Sequence, residues 1–333
     1  MKPISSALAV TLAAALSIGA SAGLGAPAGG GSAPHRMDDL ARVSSAAFGH
    51  SGRVRVLFTA PGTLLTLPLE WAAAQPADVT YAWQPVAGTR SPGLLGSARL
   101  GLGLQAPVAN GIWRLRLSAG AWQQELGELA VITRVPFDVK TDGYLNGYHI
   151  GRYPTEGEFR DDAYAPPPGF IEVTPENQDT YVSEHFRLRD FLTKDQFDVW
   201  PKYLALDVRE LDKLELVIQE LNAMGIRADR LSIMSGYRTP QYNGPGGDGR
   251  ARLSRHMYGD ASDVWVDNDG NGYMDDLNGD GIIDDHDGEV IGRAVDRVEA
   301  TWPDLTGGCG IYLSSDTHGP FVHIDARGTR SRW

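Results

Sequence analysis

The chain has 333 residues, 42% of them hydrophobic, and a formal net charge of −12, enough for two domains of ordinary size with a core in each. Nine acids and no Lys or Arg lie between residues 264 and 292, so removing them takes −12 to −3 and the charge points to a local cation site more than to basic partners. Nucleic acid is excluded as a partner, since there is no basic stripe and no basic cluster interleaved with aromatics. An intramolecular disulfide is excluded too, because Cys309 is the only cysteine, and its GGCGIY setting reads as a small buried residue entering a strand.

In chain order, residues 1–22 read as an export signal: Lys2 opens a short positive start, residues 4–18 are apolar and Ala-rich, and Ala20-Ser21-Ala22 offers a cleavage site. The run is too short for a span of roughly 20 apolar residues, and no other run approaches that length. The expected location is the periplasm or the cell exterior. Residues 23–50, rich in Ala, Gly, Pro and Ser, read as a flexible linker. From Arg53 onward short apolar runs recur between Pro, Gly and Asn, several with period two, as in Trp113, Leu115 and Leu117 against Arg114, Arg116 and Ser118. That spacing predicts an all-β sandwich of about seven strands over residues 51–136. Its sparse His and acid content makes an accessory or binding module the default reading, with a purely structural role as the alternative.

Residues 137–181 read as an irregular connector. Helices are predicted at 188–195 and 209–224, the second with Leu211, Leu214, Val217, Ile218 and Leu221 on one face and Gly225 as its stop. Short strands at 231–234, 264–266 and 321–324, with a helix at 290–302, make residues 137–333 an α+β domain with a small antiparallel sheet. The chain is thus multidomain.

The chemistry gathers in SRHMYGDASDV, residues 254–264, which sets His256 and Asp263 seven positions apart. His323 stands later, inside the apolar run FVHID. Imidazole nitrogen and carboxylate oxygen are the donors Zn²⁺ takes in hydrolytic sites, where three protein groups leave a fourth position for water. Gly259 supplies a turn that brings His256 against the strand beginning at Asp263. Together with SGYRTPQYN before it and GPFVHIDARG after it, this segment resembles the M15 family of zinc peptidases, the D-Ala-D-Ala carboxypeptidase and murein endopeptidase group, over residues 144–333. The resemblance implies His256, Asp263 and His323 as zinc ligands and peptidoglycan peptides as partner. It implies Arg238 as the group that binds a substrate carboxylate, a task its planar fork suits, with Tyr237 and Ser254 beside the substrate. Relatives place an acid or histidine just before the last ligand, where this chain has Pro320 and Phe321. His318 matches a histidine that stabilises the tetrahedral intermediate and can move a proton. Asp325, two residues beyond His323 on the same strand face, is placed to orient its imidazole.

Residues 267–287 hold two overlapping copies of one pattern: Asp267, Asp269, Asn271, Tyr273, Asp275 and Asn278, then Asp276, Asn278, Asp280, Ile282, Asp284 and Asp287. Oxygen donors at positions 1, 3, 5, 9 and 12, a carbonyl at 7 and a glycine at 6 are the requirements of a Ca²⁺ loop. The expected function is zinc-dependent hydrolysis of peptide bonds in peptidoglycan stem peptides or crosslinks. Two alternatives keep the ions and drop the chemistry: an inactive peptidoglycan-binding protein, and a calcium-dependent adhesion protein led by the β region.

Overall fold

The alternation around Trp113 produces one long strand, Gly111–Ala119, in which Trp113, Leu115 and Leu117 share a face. The computed structural model describes residues 39–90, 95–157, 159, 161–245 and 250–333; the export signal expected at 1–22, and the linker up to residue 38, lie outside the described residues. The described part of the range expected to be linker holds a strand and a 3₁₀ turn. Ala41–Val43 pairs with Leu69–Trp71, because Ala41 and Val43 alternate with Arg42 and have an apolar face to bury.

Gly111–Ala119 lies inside a five-stranded sheet of spatial order Val56–Thr59, Trp122–Thr133, Gly111–Ala119, Thr80–Pro85, Leu95–Arg99. Its pairs are antiparallel except Val56–Thr59 with Trp122–Thr133. The predicted sandwich is corrected in its second layer. Instead of another full sheet, residues 39–136 add two ribbons, Ala41–Val43 with Leu69–Trp71 and Leu64–Leu65 with Leu104–Gln105. Pro68, Gly62 and Gly103 cut these runs too short to build more.

One face of the sheet, with Trp113, Leu115, Leu117 and Val131, packs under Ala41, Val43 and Leu104 of the ribbons. The other face, with Val56, Ile112, Ala130 and Ile132, joins the core that holds Phe170, Leu211 and Val264. Residues 39–333 accordingly form one compact unit, in which the expected 51–136 and 137–333 regions share a core. Polar contacts reinforce the junction: Asp212 accepts from the amides of His50 and Ser51 at 2.7 and 2.9 Å, and Arg55 donates its amide to the Val182 carbonyl at 2.9 Å.

In the C-terminal part the helix Val208–Ala223 starts where Asp207 accepts from the Arg209 amide at 2.9 Å. It buries Leu211, Leu214, Val217, Ile218 and Leu221, and the Ile226 amide closes its end on Leu221. The helix predicted at 188–195 shrinks to the 3₁₀ turn Leu188–Phe191, because Thr193 turns its hydroxyl to the Tyr237 carbonyl instead of continuing a helix. The helix Asp285–Thr301 begins five residues before the predicted 290, since Asp284 and Asp287 close a capping box at its start. These two long helices pack on each other, and Asp285–Thr301 packs against the second five-stranded sheet, of order Leu231–Ser235, Ala261–Val266, Phe321–Asp325, Gly308–Tyr312, Ser331–Arg332. No helix among the described residues is long and apolar enough to cross a membrane.

Candidate metal centre

Asp263 and His323 are direct partners in the antiparallel register of Ala261–Val266 with Phe321–Asp325, so their side chains leave the same face of the sheet. His256 arrives from the 3₁₀ turn Arg255–Tyr258. That turn ends at Gly259, whose φ is +75° and where a Cβ would stand 2.4 Å from the Ala205 carbonyl. Only glycine lets the turn close there.

The three donor atoms meet. His256 Nε2 is 3.2 Å from Asp263 Oδ1 and 3.2 Å from His323 Nδ1, and His323 Nδ1 is 3.0 Å from Asp263 Oδ1. Donors at about 2.0–2.1 Å from a tetrahedral zinc sit about 3.3 Å apart, so the triangle already has nearly the right size. The outer nitrogens are committed elsewhere: His256 Nδ1 donates to the Gly236 carbonyl at 2.7 Å, and His323 Nε2 donates to Asp325 Oδ2 at 3.0 Å. Neutral rings held in this way turn lone pairs inward, toward a carboxylate oxygen. His256, Asp263 and His323 are only 2%, 3% and 7% exposed. Three buried acceptors facing one another without a donor are costly unless a cation lies between them. Two imidazoles and a carboxylate, with a fourth side open to a cavity, fit zinc.

Without an ion, the titration directions leave the triangle able to take up a proton in its place. Burial pushes the His256 imidazole down and outweighs Asp263. Burial opposes ionisation of Asp263, but His256 and His323 prevail and hold its carboxyl below the usual carboxylate range. For His323 burial works against charge, while hydrogen bonds to Asp263 and Asp325 raise it. A proton therefore competes with any metal at this site.

Asp325 is fixed from behind. It accepts from the Gly308 amide at 2.8 Å and from Arg327 Nε at 2.9 Å, and its backbone carbonyl accepts from buried Lys213 Nζ at 2.7 Å. Lys213 is itself paired with Glu299 at 2.7 Å. The chain thus runs from the helix Val208–Ala223 through Asp325 to the outer nitrogen of His323, whose other nitrogen faces the metal.

A cavity of about 680 Å³ opens over the three ligands. One wall is aromatic: Tyr312 stacks on Phe321 at 4.6 Å, and Trp333 sits 5.3 Å from the His323 ring while donating to the Tyr312 hydroxyl at 2.8 Å. Gly310, the register partner of His323, makes room for this ring, since a Cβ there would lie 2.3 Å from the Trp333 indole. Sequence reasoning passed over Trp333 and Tyr312, which belong to no motif. The signal available was Gly310, a strand glycine opposite a candidate ligand.

Ser254 and His318 line the cavity. His318 Nδ1 donates to the Gly319 carbonyl at 2.8 Å, and its ring stands edge-on to Phe321 at 5.0 Å. Arg238 also lines it, but not as the open fork expected. Its Nε donates to Ser235 Oγ at 2.7 Å and one terminal nitrogen, Nη2, is paired with Asp263 Oδ2. The ligand's second oxygen is buried and needs a donor, which leaves Nη1 for other work. Tyr237 is 1% exposed with its hydroxyl 2.9 Å from that of Tyr153, so it braces the loop and does not line the metal cavity. Cys309 is buried, its thiol pushed up to about 11 by burial.

The acidic loop folds as a repeat. Asp267 accepts from the Asn271 and Gly272 amides, and Asp276 from the Gly279 and Gly281 amides. Asn271 accepts from the Tyr273 amide and Asp280 from the Ile282 amide, each at 2.8 Å. Carboxylate oxygens of Asp267, Asp269 and Asp275 lie within 4.8 Å of one another. Asp284 is engaged with the His286 amide, Asn278 with Asp280, and buried Asp287 with the amides of Leu277, Asn278 and Asp284.

Residues 202–276 match the family model described as Peptidase M15. The matched stretch includes Arg238, His256 and Asp263 and stops before His323. No curated protein and no solved structure matches the chain. The C-terminal part of the chain carries an M15 peptidase segment.

Proposed function

We propose that this M15 peptidase region is a zinc-dependent hydrolase of peptide bonds in peptidoglycan stem peptides or crosslinks. The observation that supports it most is the buried triangle of acceptors formed by His256, Asp263 and His323, set in the floor of a cavity large enough for a peptide. Bound there, zinc supplies Lewis acidity that polarises a peptide carbonyl and makes water a nucleophile near neutral pH. The chain's own groups do the rest. Arg238, anchored on Ser235 and Asp263, offers Nη1 to a substrate oxygen beside the ligands. His318, whose Nδ1 is held by Gly319, moves a proton through Nε2. Asp325 holds His323 in the tautomer that faces the ion, and the wall of Tyr312, Phe321 and Trp333 packs the apolar parts of the substrate.

The cell wall as substrate draws on the resemblance to murein-directed peptidases and on the export signal at residues 1–22, which would deliver the protein to that compartment. The binding-only alternative is not favoured, because the matched segment is that of a peptidase family. For the loop at 267–287 we propose calcium. Its two copies fold alike, with Gly272 and Gly281 at φ of +87° and +85°, and three carboxylates converge in the first copy.

The test is digestion of purified peptidoglycan by the zinc-loaded chain, with the released fragments identified by mass. New peptide ends that vanish on chelation and return with zinc are the expected result. Intact glycan-linked peptides after prolonged digestion with stoichiometric zinc would reject the reading.

A further inference from the structure

With Ser235 on its Nε and Asp263 on its Nη2, Arg238 is tied to the ligand it braces, and Nη1 is the one nitrogen that keeps both hydrogens for substrate. The other cations around the metal are occupied as well. Arg255 is bound to Asp260, Arg327 to Asp325, and Arg250 lies over the Tyr242 ring at 4.9 Å. With Arg238 Nη1 given to the scissile carbonyl oxygen, a terminal carboxylate farther along the substrate would meet a different partner.

A second lobe of about 370 Å³ continues from the metal cavity and shares Met234, Arg238, Arg250 and His318 with it. Among the described residues no Asp or Glu lines this lobe, although the chain as a whole carries −12. Lys194 does line it. Its position is tied to that of Arg238: Thr193 Oγ1 donates to the Tyr237 carbonyl at 3.0 Å and accepts from the Thr239 amide at 3.2 Å, gripping both neighbours of Arg238. The Tyr237 amide also donates to the Phe191 carbonyl at 2.9 Å. Lys194 is solvent-exposed, and what desolvation it meets at the lobe pushes its ammonium down. An exposed ammonium with no acid beside it in the lobe, among the described residues, is open to an anion brought by a ligand. A flexible point charge suits a single carboxylate with no fixed approach.

We propose that Lys194 binds the free terminal carboxylate of the peptide substrate, in the lobe beyond Arg238, while Arg238 meets the scissile carbonyl oxygen. This rests on the peptidase reading above and narrows it to substrates with a free end close to the cleaved bond. Removal of a terminal residue is then the favoured reaction over opening of an internal crosslink.

The experiment compares diacetyl-L-Lys-D-Ala-D-Ala with its C-terminal amide, using the zinc-loaded full chain and Lys194→Met. The wild type should prefer the acid by roughly tenfold or more in kcat/KM, expressed in KM. In Lys194→Met that preference should collapse toward one, with zinc content at the wild-type level, and Lys194→Arg should restore most of it. Equal use of acid and amide by the wild type overturns the proposal, as does a preference that survives in Lys194→Met. Should the wild type cleave neither peptide, the peptidase reading fails separately, and calorimetric binding of the same two peptides decides the subsite. Tighter binding of the acid that Lys194→Met abolishes supports it; equal or absent binding overturns it.

Discussion

Two regions of this chain gather oxygen and nitrogen donors, and they treat them in opposite ways. In the sheet, His256, Asp263 and His323 have their outer atoms fixed by Gly236, Arg238 and Asp325, so only acceptors point inward. In the loop at 267–287 the acids turn onto their own backbone amides, and nearly every carboxylate finds a donor within a few residues. The first arrangement is incomplete without a cation; the second is self-satisfied and gains from one only by relief of charge repulsion. Convergence of ligands is therefore a weaker sign of an ion than the absence of any donor among them.

The largest effect that would break this contrast is expected at the triangle. His256→Ala should lose zinc and reduce peptide hydrolysis by roughly 10³-fold or more, about 4 kcal/mol of barrier, while retaining the far-ultraviolet circular dichroism of the parent. Hydrolysis at the parental rate after this change would remove the metal from the mechanism. One step out, Asp325→Asn should weaken zinc binding by about 10- to 100-fold in competition with a chelator. The His323 ring loses the acceptor that fixes its tautomer, and the amide cannot replace the charge facing Arg327. Unaltered affinity would mean that the strand alone positions His323.

How far the site could be read in advance follows from the same contrast. His256, Asp263 and His323 were legible because a short motif and strand alternation carry them, and the helix at 208–223 because five apolar positions repeat at helical spacing. The half-used state of Arg238 was not, since it depends on a bulged register that brings Ser235 opposite Asp263. Trp333 enters through a parallel pairing of Ser331–Arg332 with Gly308–Tyr312, a contact between segments that no local pattern connects. The sandwich misled for a related reason: the runs before residue 106 alternate well enough to be strands, but which of them extend into a sheet is decided by what covers each face.

A smaller effect is expected at the loop. If calcium binds, excess ion at a hundred times Kd stabilises the folded chain by about 2.7 kcal/mol, visible as a rise of several degrees in melting temperature. Asp267→Ala should abolish that rise, because Asp267 is the first donor of the first copy and is nearly buried. Zinc content should be the same in both proteins. A melting temperature that ignores calcium in the wild type would leave the loop as a self-capped turn and sharpen the contrast to a single metal.

The smallest effect concerns a carboxylate and imidazole pair away from both regions. Glu215, fully buried, accepts from the His185 amide at 2.9 Å and from His185 Nδ1 at 2.7 Å. The bond to Glu215 raises the His185 pKa above its ordinary value, against the opposing effect of burial. Because the folded value is the higher one, the contribution to stability is complete below the unfolded pKa of about 6.5 and is lost as pH rises through the raised folded value. With the histidine partly solvated, roughly 1 kcal/mol is expected after screening. Urea midpoints at pH 5.5 and pH 8.5 for wild type and His185→Gln should differ more at the lower pH, equally with and without zinc. A difference that grew toward pH 8.5 would contradict the direction of the shift. One that followed zinc would show that this pair is linked to the metal site, and the separation between donor-filled and donor-free acceptors would no longer hold across the molecule.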